Sequence, residues 1–272
     1  MNDLINHRGP DDEGYFYDDK IALGFKRLSI HDLSSSGHQP MHSVNKRYTI
    51  VFNGEVYNFI ELRDELKKKG YDFFSGTDTE VVLNSFIEYG QECVLKFLGM
   101  FAFIIYDHET KKVFIARDHL GIKPLYYMNK DGETYFASEM KAFSPITKYS
   151  LNENSLAEQM YFRYVAGTNT PFKNIYKVPP GSRYLGHISE DIKFEKYYCI
   201  DDGLSFNKTP LDRDSIRENL LESINIHTRS DVGFNVQLSG GVDSSYITAV
   251  LGQREKISTY SIAFSNQKFD ES

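Results

Sequence analysis

At 272 residues the chain is long enough for one or two domains with real hydrophobic cores. Its 40% hydrophobic and 14% aromatic content is that of a globular protein, and a net charge of -7 without a strongly basic stretch argues against nucleic acid as the main partner. No apolar run approaches a membrane span, Met1-Asn2-Asp3-Leu4 has neither the basic nor the apolar part of a signal peptide, and the two cysteines, Cys93 and Cys199, make no disulfide framework; a reduced cytoplasmic protein is expected.

In chain order, Met1 to Ile5 reads as the tail of a helix, followed by the turn-rich His7-Arg8-Gly9-Pro10-Asp11-Asp12-Glu13-Gly14. Ile21 to Ile30 reads as a strand containing Arg27-Leu28-Ser29-Ile30. A polar loop, Asp32 to Pro40, leads to a second strand, Tyr48 to Phe52, which runs into Asn53-Gly54. Asn-Gly between extended stretches is by itself a hairpin signal, because both residues tolerate positive φ; here the helix Phe59 to Lys69 follows at once. Ser75-Gly76-Thr77-Asp78-Thr79-Glu80 opens the next helix, with Thr77 or Asp78 as N-cap and Val81, Val82, Phe86 and Ile87 as apolar face. An acidic residue at that position has an ordinary explanation in the helix macrodipole. Met100 to Tyr106 and Lys112 to Ala116 form a hairpin around Asp107 to Thr110. Arg117 to Tyr127 and Thr134 to Ser138 are expected to prolong that meander. Short helices start at Ser138 to Ala142 and run over Leu156 to Tyr164, and Pro179-Pro180-Gly181 introduces the last strands of this half.

The polar stretch Asp201 to Thr209 marks the boundary, giving domains over 1–200 and 210–272. Beyond it, Asp214 to Thr228 places Ile216, Leu220 and Ile224 on one helical face. Phe234 to Leu238 reads as a buried strand, Tyr246 to Leu251 as a helix closed by Gly252, and Ile257 to Phe264 as another strand, the opening of a parallel sheet. Between strand and helix lies Ser239-Gly240-Gly241-Val242-Asp243-Ser244-Ser245. A Gly-rich turn at a helix N-terminus gathers backbone N–H groups on a phosphate, the glycines admit an oxyanion without a Cβ in the way, and the serines add hydroxyl donors. Asp243 either holds a metal or fixes the loop. The absence of a Gly-Lys-Ser/Thr ending excludes the Walker P-loop.

This loop resembles that of the ATP pyrophosphatases. Together with His7-Arg8-Gly9-Pro10-Asp11, Arg27 to Ile30, Asn53-Gly54-Glu55-Val56-Tyr57-Asn58, Thr77-Asp78-Thr79-Glu80, Arg117-Asp118 and Gly121-Ile122-Lys123-Pro124-Leu125-Tyr126-Tyr127, it makes the whole chain resemble the glutamine-hydrolysing asparagine synthetases. The resemblance implies an α+β fold: a four-layer αββα N-terminal-nucleophile amidotransferase sandwich, followed by the opening strand-helix-strand of an α/β ATP pyrophosphatase domain. It implies ammonia made from glutamine and passed to β-aspartyl-AMP, with glutamine, aspartate and ATP as substrates, Mg2+ alongside ATP, and a homodimer as a family expectation. By resemblance, Asn53 (side-chain amide) and Gly54 (backbone N–H) form an oxyanion hole, Arg27 meets the glutamine α-carboxylate, Asp78 with Glu55 meets its ammonium, and Leu28 and Ile30 add backbone contacts. For ATP it implies Ser239, Gly240, Gly241, Asp243 and Ser244 at the phosphates, and Leu238, Ile262 and Ala263 at the adenine. No metal ligands are assigned, and Arg117 to Tyr127 is read as structural or as lining a domain interface.

The chain departs from the family at both ends. The family nucleophile is an N-terminal cysteine whose own amine is the base, whereas this chain has Met1-Asn2 there. Cys93 and Cys199 read as ordinary buried thiols. Phe269-Asp270-Glu271-Ser272 resembles a point soon after the second strand. A fragment of an asparagine synthetase, inactive by itself, is therefore expected. The alternatives are an amidotransferase of the same architecture with another acceptor, such as a sugar, and a glutamine-binding module without catalysis.

Overall fold

The computed structural model describes residues 1–188, 190–200 and 212–263. The chain clusters into two compact units, Met1–Ser205 and Phe206–Ser272. The residues expected to hold the boundary lie outside the described ones, as do Phe264 and Phe269 to Ser272.

The first unit is built on strands β1 (Asp12–Tyr17), β2 (Ala22–Arg27), β3 (Met41–His42), β4 (Tyr48–Val56), β5 (Gly99–Asp107), β6 (Lys112–Arg117), β7 (Tyr126–Lys130), β8 (Glu133–Ala137), β9 (Tyr176–Lys177), β10 (Ser182–His187) and β11 (Glu195–Lys196). Its α-helices are α1 (Phe59–Lys68), α2 (Asp78–Tyr89) and α3 (Glu153–Phe162), and 3-10 helices cover Asn2–Arg8 and Met140–Phe143. A six-stranded sheet runs in the order β11-β10-β6-β5-β4-β3, antiparallel wherever strands meet. Alternation along β4 and β5 gives the sheet two apolar faces. One buries Ile50, Phe52, Phe101, Phe103 and Phe114 with Leu62 and Leu66 of α1 and Val81, Val82 and Leu83 of α2. The other packs Ala102, Tyr106, Val113 and Ile115 against Leu125, Tyr127 and Phe136 of a second layer. That layer consists of the sheet β8-β7-β9 and the hairpin β1-β2. Its far side buries Met128, Phe143 and Ile175, with Met1, just ahead of the first 3-10 helix, and Met140 of the second packed against them. Helix, sheet, sheet and helical turn make the four layers of an α+β sandwich.

The cap of α2 is Thr77, whose Oγ1 accepts the Glu80 N–H at 3.4 Å; Glu80 turns back to accept the N–H groups of Phe74 (3.0 Å) and Ser75 (2.8 Å). Asp78 is thus the first helical residue, fully inside the fold.

Three expectations are corrected. Tyr126 to Ala137 does not prolong the six-stranded meander, because the chain crosses to the second layer between Asp118 and Leu125. The crossing is fixed by one carboxylate: Asp118 accepts the N–H groups of Leu120 (3.1 Å) and Ile122 (2.8 Å) on Oδ1, and of Phe101 (3.1 Å) and Lys123 (2.9 Å) on Oδ2. Arg117 grips the same loop through the carbonyls of Lys123 and Gly121 and ties it to the Val178 carbonyl, and Gly121 supplies the left-handed turn at φ 67°. Second, β2 stops at Arg27, leaving Leu28 to Ile30 beyond the strand with the Ser29 N–H on Asp11. Third, the strand expected over Tyr48 to Phe52 runs on through Asn53-Gly54 to Val56, and a Cβ on Gly54 would fall on the Met100 carbonyl, so close strand approach is what requires glycine there. Of the thiols, Cys93 is buried as expected, but Cys199 is only half-buried.

The second unit holds α4 (Arg213–His227), β12 (Val236–Gln237), α5 (Val242–Gly252) and β13 (Thr259–Tyr260). β12 and β13 pair in parallel around α5, so strand-helix-strand is present, with ladders of only two residues. Ile216 and Leu220 of α4 remain exposed, and only Val250 and Leu251 are buried among the described residues of this unit.

Candidate functional site

In an antiparallel strand the N–H and C=O of a residue point to the same side, and sides alternate. In β4 the even positions turn away from β5. Phe52 gives its N–H to Gln39 Oε1 (2.7 Å) and its carbonyl accepts from Gln39 Nε2 (3.3 Å), while Val56 gives its N–H to Asp78 Oδ2 (2.9 Å). Gly54 lies between them with the same parity. Its partner across the ladder, Phe101, turns both of its own backbone groups toward Asp118 (3.1 and 2.7 Å). The Gly54 N–H therefore faces an open strand edge, because β3 pairs only as far as Ile50. Beside it, Asn53 Nδ2 is buried and has no hydrogen-bond partner. An orphaned buried donor is costly unless something is meant to meet it.

Both groups line a cavity of about 980 Å³. All seven residues expected to meet an amino acid line it as well: Arg27, Leu28, Ile30, Asn53, Gly54, Glu55 and Asp78. Asn53 and Glu55 share one face of β4, and Asp78 comes to the rim by starting α2. Burial pushes the Asp78 carboxyl up to about 6, and Glu55 adds to the rise while the Val56 N–H and His31 oppose it. Arg27 differs from an open fork: its guanidinium donates to the carbonyls of Ser34 (2.9 Å), His31 (3.3 Å) and Asp32. It thereby shapes the His31 to Ser34 loop as well as the cavity wall. Neither cysteine lines the cavity, and burial holds the Cys93 thiol well above its ordinary range.

Three features escaped the sequence reading. Gln39 clamps the Phe52 peptide and Thr79 Oγ1 (3.1 Å), a role no local pattern announces. Lys123 reaches the cavity from the Asp118 loop. Finally, the edges of β2 and β8 both line the same space: among the described residues β2 pairs only with β1, and β8 only with β7. Strand edges facing one shared gap lack the ladder partners their backbone groups would take.

In the second unit, Ser244 Oγ accepts from the Ser239 N–H (3.3 Å), meets Ser239 Oγ (3.1 Å) and reaches the Gly241 carbonyl (3.2 Å). Gly240 takes φ 82° and Gly241 caps α5 with nothing but Ser239 Oγ near it. This open, donor-rich turn at a helix start has the chemistry for a polyphosphate. Asp243 is exposed in the first turn of α5, and one carboxylate is not a cation site by itself. Leu238 is brought to Ser261, whose Oγ donates to its carbonyl (2.7 Å), with Ile262 and Ala263 exposed just beyond.

Fold and sites define a protein of two parts: a pocketed α+β sandwich with free donors at a strand edge, and a Gly-Ser loop of the phosphate-binding kind. The chain belongs to the glutamine amidotransferase domain family, whose model matches residues 1–198, and the asparagine synthase family model matches residues 215–272. It is 39% identical over its whole length to glutamine-hydrolyzing asparagine synthetase 1 of Bacillus subtilis, of which it covers 43%. It is 37% identical over 92% of its length to glutamine-hydrolyzing asparagine synthetase B of Escherichia coli, of which it covers 40%. A third relative, amidase chry2 of Gibberella zeae, is 33% identical over 94% of the chain, which covers 39% of it. The chain thus spans less than half the length of each of these relatives.

Proposed function

We propose that residues 1–200 are the glutaminase half of a glutamine-dependent asparagine synthetase and that residues 210–272 open its ATP-using half. Two donors, the partnerless Asn53 Nδ2 and the Gly54 N–H at the open strand edge, carry this reading. They stand where the carbonyl oxygen of a side-chain amide turns into an oxyanion on attack, and their being unengaged beforehand is what preorganised stabilisation requires. Asp78 and Glu55 receive the substrate ammonium, the N–H donors of Arg27 not spent on loop carbonyls receive its α-carboxylate, and Leu28 and Ile30 contribute backbone contacts. A thiolate attacks the amide carbon, ammonia leaves, and water releases glutamate from the thioester.

No thiol lines the cavity. The two free edges of β2 and β8 fit an extended segment carrying the cysteine, which would join the hairpin and the three-stranded sheet into one sheet and bring its end toward Asn53. In the second half, Ser239, Gly240, Gly241, Asp243 and Ser244 hold the ATP phosphates, and Leu238, Ile262 and Ala263 border the adenine. The overall reaction takes ATP, aspartate and glutamine to asparagine, glutamate, AMP and pyrophosphate, in a cytoplasmic homodimer. Among the described residues no helix is long and apolar enough to cross a membrane.

Incubated with glutamine, this chain alone is expected to release no glutamate above an enzyme-free blank; release would overturn the nucleophile assignment. With the cysteine segment present, glutamate release is expected, and Asn53→Ala lowers kcat by about 10²–10³-fold. A second reading is the same glutaminase serving another acceptor such as a sugar; among the relatives, amidase chry2 bears a name other than asparagine synthetase. A substrate screen on the longer protein separates the two. A non-catalytic glutamine-binding module is the remaining reading, supported by both thiols lying away from the cavity.

A further inference from the structure

The charged heads around the cavity are nearly all engaged. Arg8 donates to Glu139 (3.3 Å), Lys20 pairs with Asp19 (3.5 Å) and Lys26 with Glu13, and Arg27 is tied to three carbonyls. Asp78 accepts from Val56. Among the lysine, arginine and carboxylate side chains that line it, two carry no hydrogen bond and no ion pair to the described residues: Lys123 and Glu55. They are of opposite charge and do not bridge each other. An unengaged cation and anion in one confined space suit a zwitterion, and confinement makes each contact worth more than at the surface.

Lys123 is also placed with care. Its N–H is held by Asp118 Oδ2 (2.9 Å) and its carbonyl by Arg117 Nε (2.8 Å), so the backbone under the ammonium is fixed from both sides. Burial draws its ammonium below the usual lysine range, with Glu55, Asp118 and Asp78 opposing that fall and Arg8 adding to it. A half-buried ammonium without a partner is poorly solvated and gains on meeting a carboxylate.

We infer that Lys123 is a further binding residue of this cavity, which receives a carboxylate of the amino-acid ligand while Glu55 and Asp78 hold its ammonium. This rests on the amino-acid reading of the cavity given above. The carboxylate is either the α-carboxylate, shared with Arg27, or the γ-carboxylate of the glutamate product.

The test is calorimetric titration of L-glutamine, L-glutamate and 4-aminobutanamide, which lacks the α-carboxylate, into the chain, its Lys123→Met variant and its Lys123→Arg variant. Lys123→Met is expected to weaken glutamine and glutamate about tenfold or more and to leave 4-aminobutanamide unchanged, with Lys123→Arg restoring most of the loss. Weakening of glutamate alone assigns the γ-carboxylate instead. If all three ligands bind Lys123→Met as they bind the unaltered chain, the role of Lys123 is overturned and the cavity reading survives. If the unaltered chain binds none of them, both fall. Should Lys123→Met fail to fold, the Lys123 ε-methylene NMR signal of the unaltered chain is titrated with and without glutamate. Its pKa is expected to rise on binding, and an unchanged value overturns the proposal.

Discussion

Replacing Asn53 by leucine separates stability from function at the proposed oxyanion hole. Nδ2 of Asn53 is buried with no acceptor, so the folded chain bears the desolvation of an unmet amide, about 1–3 kcal/mol. Leucine keeps the same branched heavy-atom outline, with bulkier ends and no polar group, and removing an unsatisfied donor in favour of an apolar side chain is neutral or stabilising. Allowing about 1 kcal/mol for imperfect packing, the expectation is unchanged stability or a gain of about 1 kcal/mol, equivalent to a midpoint rise of about 2–4 °C for a unit of this size. Thermal unfolding followed by circular dichroism reads this directly. In an enzyme carrying the cysteine segment, the same substitution is expected to abolish most glutaminase turnover. A loss of stability beyond about 1 kcal/mol would refute the reasoning, since it would mean that the amide already has a partner in the fold.

Three further outcomes follow from the same geometry. The Asp78 carboxyl titrates at about 6 in the fold against 3.8 unperturbed, so the fold binds its proton more tightly than the unfolded chain does. That contribution is full below about pH 3.8 and is lost as pH rises to about 6, and it is worth about 3 kcal/mol. Asp78→Asn should therefore flatten stability between pH 4 and pH 6 in urea titrations, whereas ammonium binding by the unaltered chain should weaken below pH 6 as the charge is lost. Gly54→Ala puts a Cβ on the Met100 carbonyl and is expected to cost about 1–3 kcal/mol in chemical unfolding. Asp118→Ala strips the acceptor from the N–H groups of Phe101, Leu120, Ile122 and Lys123, with an expected cost of about 3–5 kcal/mol and faster amide exchange over Leu120 to Lys123.

Much of this was legible in the sequence for local reasons. Short apolar, β-rich runs at Tyr48 to Phe52 and Met100 to Tyr106 name strands, Thr77 names a cap, and Asn53, Gly54 and Asp78 stand in motifs whose order is distinctive. The seven residues converge on one cavity because the strand holding Asn53 lies beside the start of α2. What was not legible depends on long-range partners. The crossing at Asp118 needs Phe101 from another strand, so local pattern alone extends the meander. Gln39 acts on Phe52 across 13 residues of sequence, and an Asn-Gly signal tuned to turns is silent about a strand that needs glycine for close approach. Arg27 looks like a free fork in sequence because the carbonyls that occupy it carry no side-chain signature. Lys123 stands inside a motif read as structural, but its lack of a partner is a property of three dimensions only.

The most direct measurement is a two-dimensional amide NMR titration of the chain with L-glutamine, following the Gly54 backbone N–H and the Asn53 side-chain NH2. If these two donors form the oxyanion hole, both signals move together and saturably on adding glutamine, and L-norvaline, which lacks the side-chain amide, leaves them in place. Glutamine binding that shifts neither signal, or no binding to the chain at all, would contradict the assignment of this cavity as a glutaminase site.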